Sequence, residues 1–139
     1  MATYITNEAI AAGQRLDALA PSHAAGAVVS FTGYVRDHNL GEAVSTLYLE
    51  HYPGMTERAL AALEIDAYAR WPLLAVDIIH RVGELTLGDV IVFVAVASAH
   101  RQAAFEAASY LMDQLKTHIP LWKRECHTAS TTPVWLIPH

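Results

Sequence analysis

The chain has 139 residues, 53% of them hydrophobic, a formal net charge of -5 and a sequence pI near 5.8. That size and apolar content suit one domain with a real core, residues 1–139, while the acidity argues against a nucleic-acid binder and the lone Cys126 against an internal disulfide. The eight histidines are scattered without zinc-site spacing, so no metal is expected, and neither a bilayer-length apolar run nor a signal-like opening segment is present, so a cytoplasmic protein is expected.

Tyr4-Ile5 reads as a short strand, and Asn7 as the N-cap of a helix running to about Leu19, closed by Pro21-Ser22-His23. Ala27 to Arg36 is rich in β-branched and aromatic residues and predicts a strand, with Gly33 a bulge or a point of close approach. After a polar loop from Asp37 to Glu42, Val44 to Tyr52 predicts a second strand, the hairpin partner of the first. Pro53-Gly54 leads into a helix from about Thr56 to Trp71, which Pro72 stops. Val76 to Val82 predicts a strand, Gly83 and Gly88 bracket a turn, and Val90 to Ala97, apolar throughout, predicts a central strand buried on both faces. A helix follows from about Gln102 to His118, with Phe105, Ala108, Met112, Leu115 and Ile119 as its buried stripe. Pro120 ends it, and Leu121 to Glu125 and Val134 to Ile137 predict short edge strands. This order favours an α+β domain with helices packed on a mostly antiparallel sheet.

The chain carries only two lysines, Lys116 and Lys123, in one segment at the C-terminal end of the last helix. Lysine is normally spread over a solvated surface, so its confinement here points to use: an ammonium neutralises a phosphate or carboxylate, or becomes a base or nucleophile when desolvated. Two further cationic segments flank secondary-structure ends. Arg36 closes a strand behind Gly33, and His100-Arg101 stands where the central strand meets a helix N-terminus, a place suited to an anion. Other candidates carry less. His80-Arg81 lies inside a strand and suits a structural pair, Glu50-His51 and His38 match no common metal site, and Cys126 lacks a defined base.

Five strings occur in order: Gly33-Tyr34-Val35-Arg36-Asp37-His38-Asn39-Leu40-Gly41, Leu49-Glu50-His51-Tyr52-Pro53-Gly54-Met55, Ile79-His80-Arg81-Val82-Gly83-Glu84-Leu85, Ser98-Ala99-His100-Arg101, and Leu115-Lys116 through Pro120-Leu121-Trp122-Lys123-Arg124-Glu125. Together, across roughly residues 26 to 125, they resemble the large, catalytic subunit of molybdopterin synthase. The resemblance implies an α/β-hammerhead-like fold and a sulfurtransferase of molybdenum cofactor biosynthesis. Such an enzyme converts cyclic pyranopterin monophosphate to molybdopterin, with no permanently bound cofactor. The two sulfurs come from a thiocarboxylate on the C-terminal Gly-Gly of a small ubiquitin-like sulfur-carrier subunit, and two large subunits form a homodimer within a heterotetramer. It also implies a substrate site at Tyr34, Val35, Arg36, His100, Arg101, Lys116, Lys123, Arg124 and Glu125, with Lys116 and Lys123 catalytic. Arg36, His100 and Arg101 would hold the phosphate and pterin edge, and the lysines would stabilise developing negative charge and move protons. The chain departs from the family in having Tyr34 where some members have lysine, and in having no arginine or lysine after Glu125. From a different class, a non-catalytic anion- or partner-binding module on the same fold would carry the same cations.

Overall fold

The computed structural model describes residues 3–19, 23–36, 38–39, 42–127 and 134–136, excluding the side chains of 38–39, 42–45, 125–127 and 134–136. In chain order the elements are β1 (Thr3–Thr6), α1 (Ala12–Leu19), β2 (Ala27–Tyr34), β3 (His38–Asn39), β4 (Glu42–His51) and α2 (Met55–Arg70), followed by β5 (Leu73–Arg81), β6 (Gly83–Thr86), β7 (Val90–Ser98), α3 (Arg101–His118), β8 (Leu121–His127) and β9 (Val134–Leu136). They build two sheets. One has the order β1-β5-β7-β2, with β1 parallel to β5 and the other pairs antiparallel. The other has the order β3-β4-β8-β9, with β6 also pairing β4 and all pairs antiparallel. The α+β expectation therefore holds.

The apolar runs of β5 and β7 follow from burial on both faces. Val76, Ile78, Val92, Val94 and Val96 join Leu60, Leu63, Leu111 and Leu115 of α2 and α3 in the larger core. Ala75, Ile79, Phe93, Ala95 and Ala97 face the other way, onto Leu19 of α1. Leu47, Leu49 and Leu121 carry the larger core across to the second sheet.

Three local expectations are corrected. β2 and β4 do not form a hairpin: β2 pairs with β7 (Phe31↔Val94), and β4 pairs with β8 (Leu49↔Lys123) and β6. Alternation records which face of a strand is buried and not which strand lies beside it, so the partner was illegible locally. Gly83 opens β6 instead of a turn; the turn falls at Leu87-Gly88, where Gly88 takes φ 84°. The buried stripe of α3 is Ala104, Ala107, Ala108, Leu111 and Leu115, and Phe105 is 61% exposed. Three alanines let this helix approach the sheet closely, so its larger side chains flank the contact. In addition, α1 begins at Ala12 and not after Asn7, and the predicted loop includes the two residues of β3. Asp37, Leu40 and Gly41 of that loop, and Ile137 at the predicted end of the last strand, lie outside the described residues.

Candidate active site

A cavity of about 630 Å³ opens where the end of the first sheet, the C-terminal half of α3 and β8 converge. Its floor is Gly33 of β2, Val92 of β7 and His80 of β5, aligned across the sheet by the registers Gly33↔Val92 and His80↔Val92. Gly33 is required there: a Cβ would fall 2.9 Å from Val92 Cγ1 and 3.2 Å from Phe31 Cε1. The β2 register shifts between Gly33 and Tyr34, which releases Tyr34 and then Arg36 toward the cavity mouth. Met112, Leu115 and Lys116 form the helical wall because positions three and four apart share one face.

Lys123 arrives by strand alternation. Leu121 is fully buried toward the core, so Lys123, two residues on, presents the same face of β8 beside its neighbour Leu49. Pro120, at the entry to β8, is held by Thr56 of α2. The buried Thr56 hydroxyl donates to the Pro120 carbonyl at 2.9 Å and accepts the Tyr52 N–H at 2.8 Å. A second staple fixes α3 against α2: Tyr110 donates to the Asp66 carboxylate, the Arg70 guanidinium lies 4.6 Å over the Tyr110 ring, and Trp71 Nε1 donates to Glu106 at 3.1 Å. The Tyr110 hydrogen bond holds the Asp66 carboxyl below its ordinary range and lifts the phenol above its own.

Of the residues named from sequence, Tyr34, Arg36, Lys116 and Lys123 line this cavity. Val35 does not: it is buried in the core, tied by its N–H and C=O to Asp89 and Gly88. Arg124 sits on the opposite face of β8 from Lys123, its guanidinium 4.9 Å over the Tyr48 ring. Glu125 is in β8, paired with Leu47, and its side chain lies outside the description. His100 and Arg101 are exposed at the N-terminal end of α3. At 1.5 Å per residue, Arg101 and Lys116 stand about 22 Å apart along the helix, too far to share one phosphate within one chain.

Phe31, Thr32, His80, Ile91 and Met112 line the cavity without having been singled out as ligand residues. Phe31 shares a strand face with Gly33, and Met112 precedes Lys116 by one turn, so periodicity around the named residues points to both. The cavity thus combines one arginine and two lysines with an aromatic and aliphatic lining, and no carboxylate lines it among the described residues. In a chain of net charge -5 this is a local positive site, suited to a small anion with a flat apolar body. Among the described residues there is no cluster of three His, Cys, Asp or Glu that could hold a metal, and no helix long and apolar enough to cross a membrane.

The family model described as MoaE protein matches residues 5–118. The molybdopterin synthase catalytic subunit of Escherichia coli (strain K12) is 59% identical over 113 residues, 81% of this chain and 75% of that one. The subunit of the same name from Pseudomonas aeruginosa is 54% identical over 126 residues, 90% and 84% of the two chains. Among solved structures, molybdopterin synthase from Staphylococcus aureus superposes with a TM-score of 0.88 at 33% identity, covering 99% of this chain and 97% of that one. A Helicobacter pylori complex of subunits 1 and 2 of molybdopterin-converting factor shares the fold at 17% identity and a TM-score of 0.80, covering 97% and 90%. The chain belongs to the MoaE family, the catalytic subunits of molybdopterin synthase.

Proposed function

We propose that this cavity binds cyclic pyranopterin monophosphate and directs two sulfur transfers onto it from the thiocarboxylated C-terminus of a small ubiquitin-like partner. The observation that carries the proposal is that the chain's only two lysines, on separate elements, reach one cavity together with Arg36. Arg36 supplies a planar fork for the phosphate. Phe31 and Met112 offer polarisable apolar surface to the pterin, and Gly33 leaves room for it. Lys116 and Lys123 stabilise the oxyanion that forms when the thiocarboxylate engages the substrate. A cavity open to solvent can admit an extended tail ending in small residues, and the Helicobacter pylori complex supports a second subunit as its source.

His100 and Arg101 enter this reading through a homodimer. A two-fold axis that sets two α3 helices antiparallel brings Arg101 of one copy toward Lys116 of the other, and covers the exposed Phe105 one turn from Arg101. Turnover with substrate and the thiocarboxylated partner tests the site: Lys116→Ala, Lys123→Ala and a partner lacking its two terminal residues should each lose dithiolene formation. Full activity with the truncated partner would refute the tail mechanism. Coexpressed Lys116→Ala and Arg101→Ala chains should regain about a quarter of the sites by random pairing. No recovery in mixed dimers would refute the shared site.

A further inference from the structure

His80 is 1% exposed, yet it lines the cavity floor. Its Nδ1 lies 2.9 Å from the carbonyl oxygen of Arg81. A carbonyl only accepts, so Nδ1 carries the ring proton and Nε2 is the basic nitrogen of the neutral imidazole. Arg81 is engaged elsewhere, 3.5 Å from Asp89. Among the described residues, the charged and titratable groups lining the cavity with His80 are Tyr34 at the end of β2, Arg36 two residues beyond it, Lys116 of α3 and Lys123 of β8. Its strand neighbours on β1 and β7 are Ile5 and Val92. Among these groups the imidazole is the one that, when neutral, offers a basic ring nitrogen.

We propose that His80 is the proton acceptor of this cavity. The inference rests on the sulfur-transfer reading above, because that chemistry releases protons. Once the thiocarboxylate sulfur has bonded to the substrate, the partner's acyl carbon remains on that sulfur as a thioester, and water must release it. The water oxygen bonds to the acyl carbon while one of its protons passes to Nε2, and the carbonyl electron pair moves onto oxygen, opposite the lysines. Collapse of that oxyanion breaks the carbon–sulfur bond, with the pair leaving on sulfur. The tail departs as a carboxylic acid that ionises, the substrate keeps a thiolate, and the imidazolium returns its proton to solvent. One thioester and one water thus give a carboxylate, a thiolate and two protons, with no change in oxidation state.

Two variants separate chemistry from support. His80→Asn places an amide near Nδ1 and keeps a donor for the Arg81 carbonyl, whereas His80→Gln places an amide near Nε2 that takes up no proton. In the assembled enzyme with thiocarboxylated partner, both should turn over at least about 100-fold more slowly. Both should also accumulate the partner–substrate thioester by mass spectrometry and lose the acid-side fall of the wild-type rate profile. A His80→Asn enzyme with wild-type rate and pH profile would overturn the proposal and leave His80 a supporting side chain. Should both variants fail to fold, ring-nitrogen NMR of the wild-type protein decides: a neutral, Nδ1-protonated ring at assay pH is expected, and an Nε2–H tautomer or imidazolium overturns it. Lys116→Ala run alongside distinguishes the two levels, since full activity there sinks the sulfur-transfer site itself. Loss there with normal His80 variants sinks only the role of His80.

Discussion

Leu115 and Lys116 are adjacent on α3 and should fail in opposite ways. Leu115 is 2% exposed inside the larger core, whereas Lys116 is exposed at the cavity. Truncating a buried leucine to alanine costs about 2–5 kcal/mol, the lost transfer energy plus the void left behind. With an unfolding entropy of about 2.1 cal/mol/K per residue, a chain of this length changes by roughly 0.3 kcal/mol per degree, so Leu115→Ala should lower Tm by about 7–17 °C. Lys116→Ala removes no buried atoms and exchanges one good helix former for a better one, so its Tm should stay within about 2 °C. Removing a group aimed at developing charge costs about 10²- to 10³-fold in rate, so Lys116→Ala should lose that much turnover at a nearly unchanged Tm, whereas the defect of Leu115→Ala should be dominated by its loss of stability. Scanning calorimetry and single-turnover dithiolene formation on both variants make the test. A Lys116→Ala protein that melts as early as Leu115→Ala, or turns over near the wild-type rate, would refute the catalytic assignment.

Arg36→Ala should raise KM about tenfold or more while leaving kcat comparatively intact, because a phosphate contact is present throughout the reaction; an unchanged KM would remove Arg36 from the phosphate site. Thr56→Val leaves the Tyr52 N–H and Pro120 carbonyl without their hydroxyl partner and should cost about 1–3 kcal/mol in urea unfolding; no loss would show that this staple does not hold β8. Asp89 accepts the Thr86 N–H at 2.9 Å and the Thr86 hydroxyl at 3.2 Å and lies near Arg81, and these contacts, the backbone hydrogen bond first, hold its carboxyl below the ordinary range. A carboxyl depressed in the folded state stabilises above its unfolded value of about 3.9 and loses that stabilisation as pH falls through the folded value. Asp89→Asn should therefore be less stable than wild type at pH 7, with the gap narrowing at pH 3; a gap constant across that range would count against the linkage.

The sequence by itself determined the three helices and the strands other than β3 and β6, since hydrophobic period, proline stops and β-branched runs act over a few residues. It also marked Tyr34, Arg36, Lys116 and Lys123, because lysine scarcity and the ordered strings are properties of the chain alone. Only the tertiary structure decided which strand lies beside which. Leu49 meets Lys123 across 74 positions, and nothing in the alternation of either strand encodes that choice. The phase of α3 was likewise set by three alanines seated on the sheet, which turned Phe105 outward against its own hydrophobicity. The same packing carried Val35 into the core, turned Arg124 onto Tyr48 and left Arg101 a helix-length from Lys116. It also brought His80, unremarkable within its strand, to the floor of the cavity. A side chain's chemistry is written in its type, but its neighbours are fixed by long-range pairing and burial, and those become definite only when the whole core closes.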